Sequence, residues 1–168
     1  CWKTYVGRLE QDVARGMAMT ELGNGLSDAG HHEDALSVGE AQLSTYRRFG
    51  APELRVLVTQ GNLAATYVEL GHLEKALSME RDVYSGRFKL NGDEHEMTLI
   101  AANNYASTLK DLERFEESRA LLRKTMPVAR RVLGGSNDTT LRMSLIYARA
   151  LFMDAGATLD DLREAVTT

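Results

Sequence analysis

Among its 168 residues the chain has one cysteine, two prolines and one tryptophan. The lone thiol, Cys1, cannot close an internal disulfide, so nothing in the sequence points to an oxidising compartment. No apolar run approaches the roughly 18 to 20 residues that cross a bilayer, and the apolar segment of a secretory signal is missing. Charge of a single sign is also missing. The net charge is −4 with both signs interspersed, so no basic stripe invites nucleic acid or anionic lipid. Low-complexity stretches and composition shifts that would mark a second domain do not occur. Hydrophobic residues at 43% and charged residues at 26% fit a soluble folded protein rather than a disordered one. A cytoplasmic location is expected. The start at Cys1-Trp2 and the stop at Thr168 in mid-pattern suggest a piece of a longer protein.

What is present is a repeat. Leu22-Gly23, Leu26 and Ala35-Leu36 recur 41 residues on as Leu63-Ala64, Tyr67 and Ala76-Leu77. They recur again 42 residues on as Tyr105-Ala106, Leu109 and Ser118, with a degraded copy at Tyr147-Ala148 and Leu151. Such a period signals a stacked array, and arrays usually bind rather than catalyse. Leu57, Leu63, Ala64, Tyr67 and Leu70 follow helical spacing, as do Ala76, Leu77, Met79, Val83, Tyr84 and Leu90. Alternating strand patterns between hairpin turns are weak. Gly71-His72-Leu73-Glu74 reads as a tight turn between the two helices, matched by Gly30-His31-His32-Glu33 and Glu113-Arg114-Phe115-Glu116. Longer polar links follow at Gly50–Glu53, Gly92–His95 and Gly134–Asp138, with Thr98 and Thr140 as caps or first-turn residues of the next helix. Pro127, inside a second helix, lacks an amide and is expected to kink it.

The run Asn62-Leu63-Ala64, Tyr67, Leu70-Gly71 and Glu74-Lys75-Ala76-Leu77, repeated in part by Asn103-Asn104-Tyr105-Ala106, resembles the tetratricopeptide repeat family. The 42-residue variety found in kinesin light chains is the most similar, as Val132-Leu133-Gly134 and Asp138-Thr139-Thr140-Leu141 indicate. The resemblance covers about residues 16 to 166. It implies an all-α fold, an α-α superhelix or solenoid of about four helical hairpins. Residues 1–15 are read as an N-terminal helix ending a preceding repeat or capping the array. Repeats follow at 16–56, 57–98 and 99–140, with a partial or divergent one at 141–168 whose turn at Met153–Leu159 carries an extra residue. The small residues Gly23, Ala64, Ala106 and Ala148 are placed where helices approach closely, and the large residues three positions on fill the gap beside them.

The resemblance also implies a binding groove lined by the first helix of each unit. Its candidate residues are Asn24, Asn62, Asn103, Asn104, Ser107, Lys110, Arg142 and Arg149. Asparagine is a mediocre helix former, so several on first helices ask for a reason. In the family such amides often hydrogen-bond a peptide backbone; the alternative is a bond to the adjacent unit or to water. Lys110, Arg142 and Arg149 make either a basic patch for an acidic peptide or a solvated charged face. His31-His32, His72 and His95 fall in turns and a link without metal-site spacing, so no metal or cofactor is expected. The glycine pairs lack a phosphate loop's lysine, and no activated nucleophile is readable. The expected function is a non-catalytic scaffold holding an extended peptide or partner helix. The alternatives are a structural subunit that self-associates or joins a larger complex, and a regulatory region of a multidomain protein.

Overall fold

The computed structural model describes residues 13–153. Seven helices run through them: α1 (Val13–Asp28), α2 (His32–Arg48), α3 (Glu53–Glu69), α4 (Leu73–Asn91), α5 (Glu96–Asp111), α6 (Phe115–Leu133) and α7 (Asp138–Met153). No strand occurs among the described residues. The fold is therefore all-α, a series of helical hairpins. Residues 13–15 form the first turn of α1. The segment expected over residues 1–12, and the turn and helix expected after Met153, lie outside the described residues.

Two compact units divide the chain between Met79 and Glu80. In the first, α1 pairs with α2, α3 packs on α2, and α1 meets α3 at a few positions only. In the second, α5 pairs with α6, and α7 packs along both. Helix α4 contributes its first turns to one unit and the remainder to the other.

Each tight turn repeats one backbone device. The His31 amide donates to the Leu26 carbonyl at 2.8 Å and the Gly30 amide to Ser27 at 2.9 Å. His72 and Gly71 do the same toward Tyr67 and Val68, and Arg114 and Glu113 toward Leu109 and Lys110. This pair of bonds ends a helix with one left-handed residue: Gly30 at φ 80°, Gly71 at 73°, but Glu113 at 59°. The first-helix caps come from the links. His95 Nδ1 accepts from the Met97 amide, and Asn137 Oδ1 from the Thr139 amide. Thr98 and Thr140 are buried first-turn residues rather than caps.

Ala64 and Ala106, at 1% and 0% exposure, occupy the close approaches expected of them. Gly23 is half-buried and Ala148 exposed. In the second unit Leu99, Ala106, Leu122, Met126, Met143 and Tyr147 share one apolar core. Each large side chain so buried contributes on the order of 1.5–3 kcal/mol.

Candidate functional site

First helices place their large apolar residues inward, which leaves amides and hydroxyls on the adjoining face. In the first unit, α1 and α3 bound a cleft floored by α2. Asn24 and Asn62 face each other across it, the Asn62 amide donating to Asn24 Oδ1 at 2.9 Å, both side chains exposed. These two amides therefore bond to each other across neighbouring repeats. Deeper in the cleft, the Gln42 amide nitrogen lies 2.7 Å from the Gly16 carbonyl and 2.8 Å from Thr20 Oγ1. At the floor of the cleft α2 and α3 approach closely: a methyl group added at Gly39 would come within 2.7 Å of Leu63 Cδ2.

In the second unit Asn103, Asn104, Ser107 and Arg142 come together with Leu145 and Ile146 in one pocket between α5 and α7. Asn104 is exposed and Ser107 half-buried. Asn103 is buried, its amide reaching Asn104 Oδ1 at 3.3 Å while its own Oδ1 has no partner. Arg142 and Asp138, four residues apart on α7, form an ion pair at 2.8 Å. Lys110 lies outside this pocket and pairs with Asp111 at 2.7 Å. Arg149 is exposed on α7 and does not line it. The expected basic patch is thus neutralised at two of its three members by neighbouring carboxylates. What remains is a set of hydrogen-bonding groups and one half-compensated guanidinium beside an apolar side chain. Such a set can donate to and accept from a polar backbone.

Sequence reasoning missed the buried polar residues of the second helices. Glu80 and Arg87 on α4 are 7% and 5% exposed. Burial raises the Glu80 carboxyl to about 7, partly opposed by its hydrogen bond with Thr108 and reinforced by the Asp111 charge. Burial lowers Arg87 below its ordinary value. The repeat register carried the signal: Glu80 and Arg87 stand 42 residues before Leu122 and Ala129, both core residues. In the first unit Tyr67 donates to Glu40 Oε1 at 2.6 Å, and that bond together with burial pushes its phenol up to about 12. Among the described residues no helix is long and apolar enough to cross a membrane.

Residues 56–96 and 98–139 match the tetratricopeptide repeat family. No curated protein sequence matches the chain. Two crystal structures of a Podosopora anserina protein assigned as a kinesin light chain, with nearly identical TPR-like repeats, each align with a TM-score of 0.79 at 19% identity. They cover 98% of this chain and 77% of theirs. BtubC (BKLC) from P. vanneervenii aligns with a TM-score of 0.63 at 16% identity, covering 92% of this chain and 70% of its own. The shared fold is a TPR-like helical repeat solenoid. Through these hairpins the chain belongs to the tetratricopeptide repeat family.

Proposed function

We propose that the chain is a non-catalytic protein–protein interaction scaffold that holds an extended peptide, or one face of a partner helix, against its first helices. The observation that carries this reading is the pocket between α5 and α7. There Asn104 and Ser107 offer hydrogen-bonding groups beside Arg142, and Leu145, 71% exposed, offers an apolar contact. An extended segment with a carboxylate near an apolar side chain matches that set. Its carboxylate competes with Asp138 for Arg142, so binding weakens as salt rises. The kinesin light chain character of the structural neighbours supports a cytoplasmic location.

Affinity purification with the full-length protein, followed by calorimetry with the mapped peptide, tests the proposal. The variant Asn104→Ala is expected to melt nearly as the parent does, because the amide is exposed. It is expected to bind the peptide more weakly, and Arg142→Glu more weakly still. A collapse in melting with intact binding would assign the Asn104 amide to structure alone and remove the pocket's exposed amide from the site.

One observation favours a second reading, that of an assembly subunit. Helix α7 exposes Leu141, Leu145 and Phe152 at 50%, 71% and 79%. Apolar surface of this kind supports self-association. Sedimentation velocity separates the two: a monomer at micromolar concentration favours capture, a stable dimer favours assembly.

A further inference from the structure

One position of the second helices changes character from unit to unit. It is Gly39 in α2, Glu80 in α4 and Leu122 in α6, spaced by 41 and 42 residues. Leu122 is fully buried in the apolar core of the second unit. Glu80 is buried too, and its Oε2 has no hydrogen-bond partner. Its side chain bonds with Thr108 of α5, and the Asp111 carboxylate of the same helix acts on it with like charge. Lys110, the nearby cation of α5, is engaged by Asp111 at 2.7 Å. On its own helix the ionisable neighbours are Tyr84 and Arg87, one and two turns on. Tyr84 stacks toward Tyr105 of α5 at 6.4 Å between ring centroids, so α4 and α5 pack along this stretch. An ionised carboxylate here has lost its water without gaining a cation; a neutral acid fits.

We propose that Glu80 is a proton switch built into the packing of α4 against α5, neutral when the two helices are closed and ionised when they loosen. Burial accounts for the direction: the folded state holds its proton to about pH 7, whereas the free side chain gives it up near 4.5. Below pH 4.5 both states are protonated, and the switch costs nothing. Between 4.5 and about 7 the unfolded chain ionises while the folded one does not, so stability falls as pH rises through this window. Above it both are ionised and the loss levels off. Acidic carboxylates that are ion-paired in the fold act in the opposite sense, which makes the Glu80 contribution separable by substitution.

Two measurements on the full chain test the switch. Carbon-13 NMR of the Glu side-chain carboxyls, assigned by comparison with Glu80→Gln, is expected to show one titration midpoint near 7. Thermal melts across the same window are expected to show the parent losing stability relative to Glu80→Gln and Glu80→Leu as pH rises. Leucine is the residue the next unit uses at this position. A Glu80 midpoint near 4.5, or an identical pH dependence in the parent and in Glu80→Gln, would overturn the proposal. Should Glu80→Leu fail to fold, the titration and the glutamine variant decide it.

Discussion

Glu113 occupies a backbone conformation that its two counterparts give to glycine. At φ 59° its β-carbon crowds the following carbonyl, whereas Gly30 and Gly71 have none to crowd. Replacing Glu113 by Gly is expected to raise stability by about 0.5–1 kcal/mol, because relief of the left-handed strain exceeds the added freedom of the unfolded chain. A urea denaturation midpoint checks it, and a lower midpoint would mean that the Glu113 side chain stabilises the turn by more than its backbone strain costs. Ser118 is the converse case, a polar residue where Ala35 and Ala76 stand in the other units. Its hydroxyl donates to the Ala106 carbonyl at 2.9 Å in a fully buried site. That carbonyl lies inside α5, where the helix itself supplies a donor. Ser118→Ala therefore strands no polar group, and its cost is expected to stay within about 1 kcal/mol by the same measurement.

Among the elements, α6 is the one whose sequence argues against its length. It runs unbroken from Phe115 to Leu133 with Pro127 inside it. The proline is exposed, so the missing amide bond faces water and not the core, and the local bend it was expected to cause does not end the helix. Pro127→Ala is expected to stabilise the fold by about 1–3 kcal/mol, read as a rise in melting temperature. A neutral result would show that the proline's fixed backbone angle stabilises the fold by as much as the missing hydrogen bond costs. The helices themselves were legible in the sequence because Leu63, Ala64 and Tyr67 repeat at helical spacing, and all three are buried. The inward face of α4 was less so. The helical apolar set of α4 includes Leu90 and omits Glu80, yet Leu90 is 46% exposed and Glu80 is buried. Position in the repeat decided, and hydropathy did not. The site was legible as a face but not as a chemistry. Asn104, Ser107 and Arg142 do converge, while Asn103 sinks into the packing and Asn62 turns to Asn24. Asp138, which compensates Arg142, lies four residues away, a pairing that helical spacing contains; Asp111, adjacent to Lys110 at the end of α5, is a pairing that helical spacing does not signal.

For the whole molecule, the contact pattern within each unit is nearest-neighbour: α1 with α2, α2 with α3, α5 with α6, α6 with α7, and first helices with the next first helix. In an array of this kind stability is a sum of repeat terms and adjacent interfaces, so a defect is felt locally before it is felt everywhere. Ala106 provides the place to test this. It is wholly buried in the core shared by Leu99, Leu122 and Tyr147, with no room for a larger side chain. Ala106→Leu is expected to cost about 1–3 kcal/mol through overpacking. Hydrogen exchange read by mass spectrometry should then show faster exchange in peptides from α5, α6 and α7, while those from α1, α2 and α3 keep the parent's rates. Uniform acceleration through all six helices would mean that the chain unfolds as one block. In that event a local change such as the ionisation of Glu80 acts on the stability of the whole chain and not on the second unit alone.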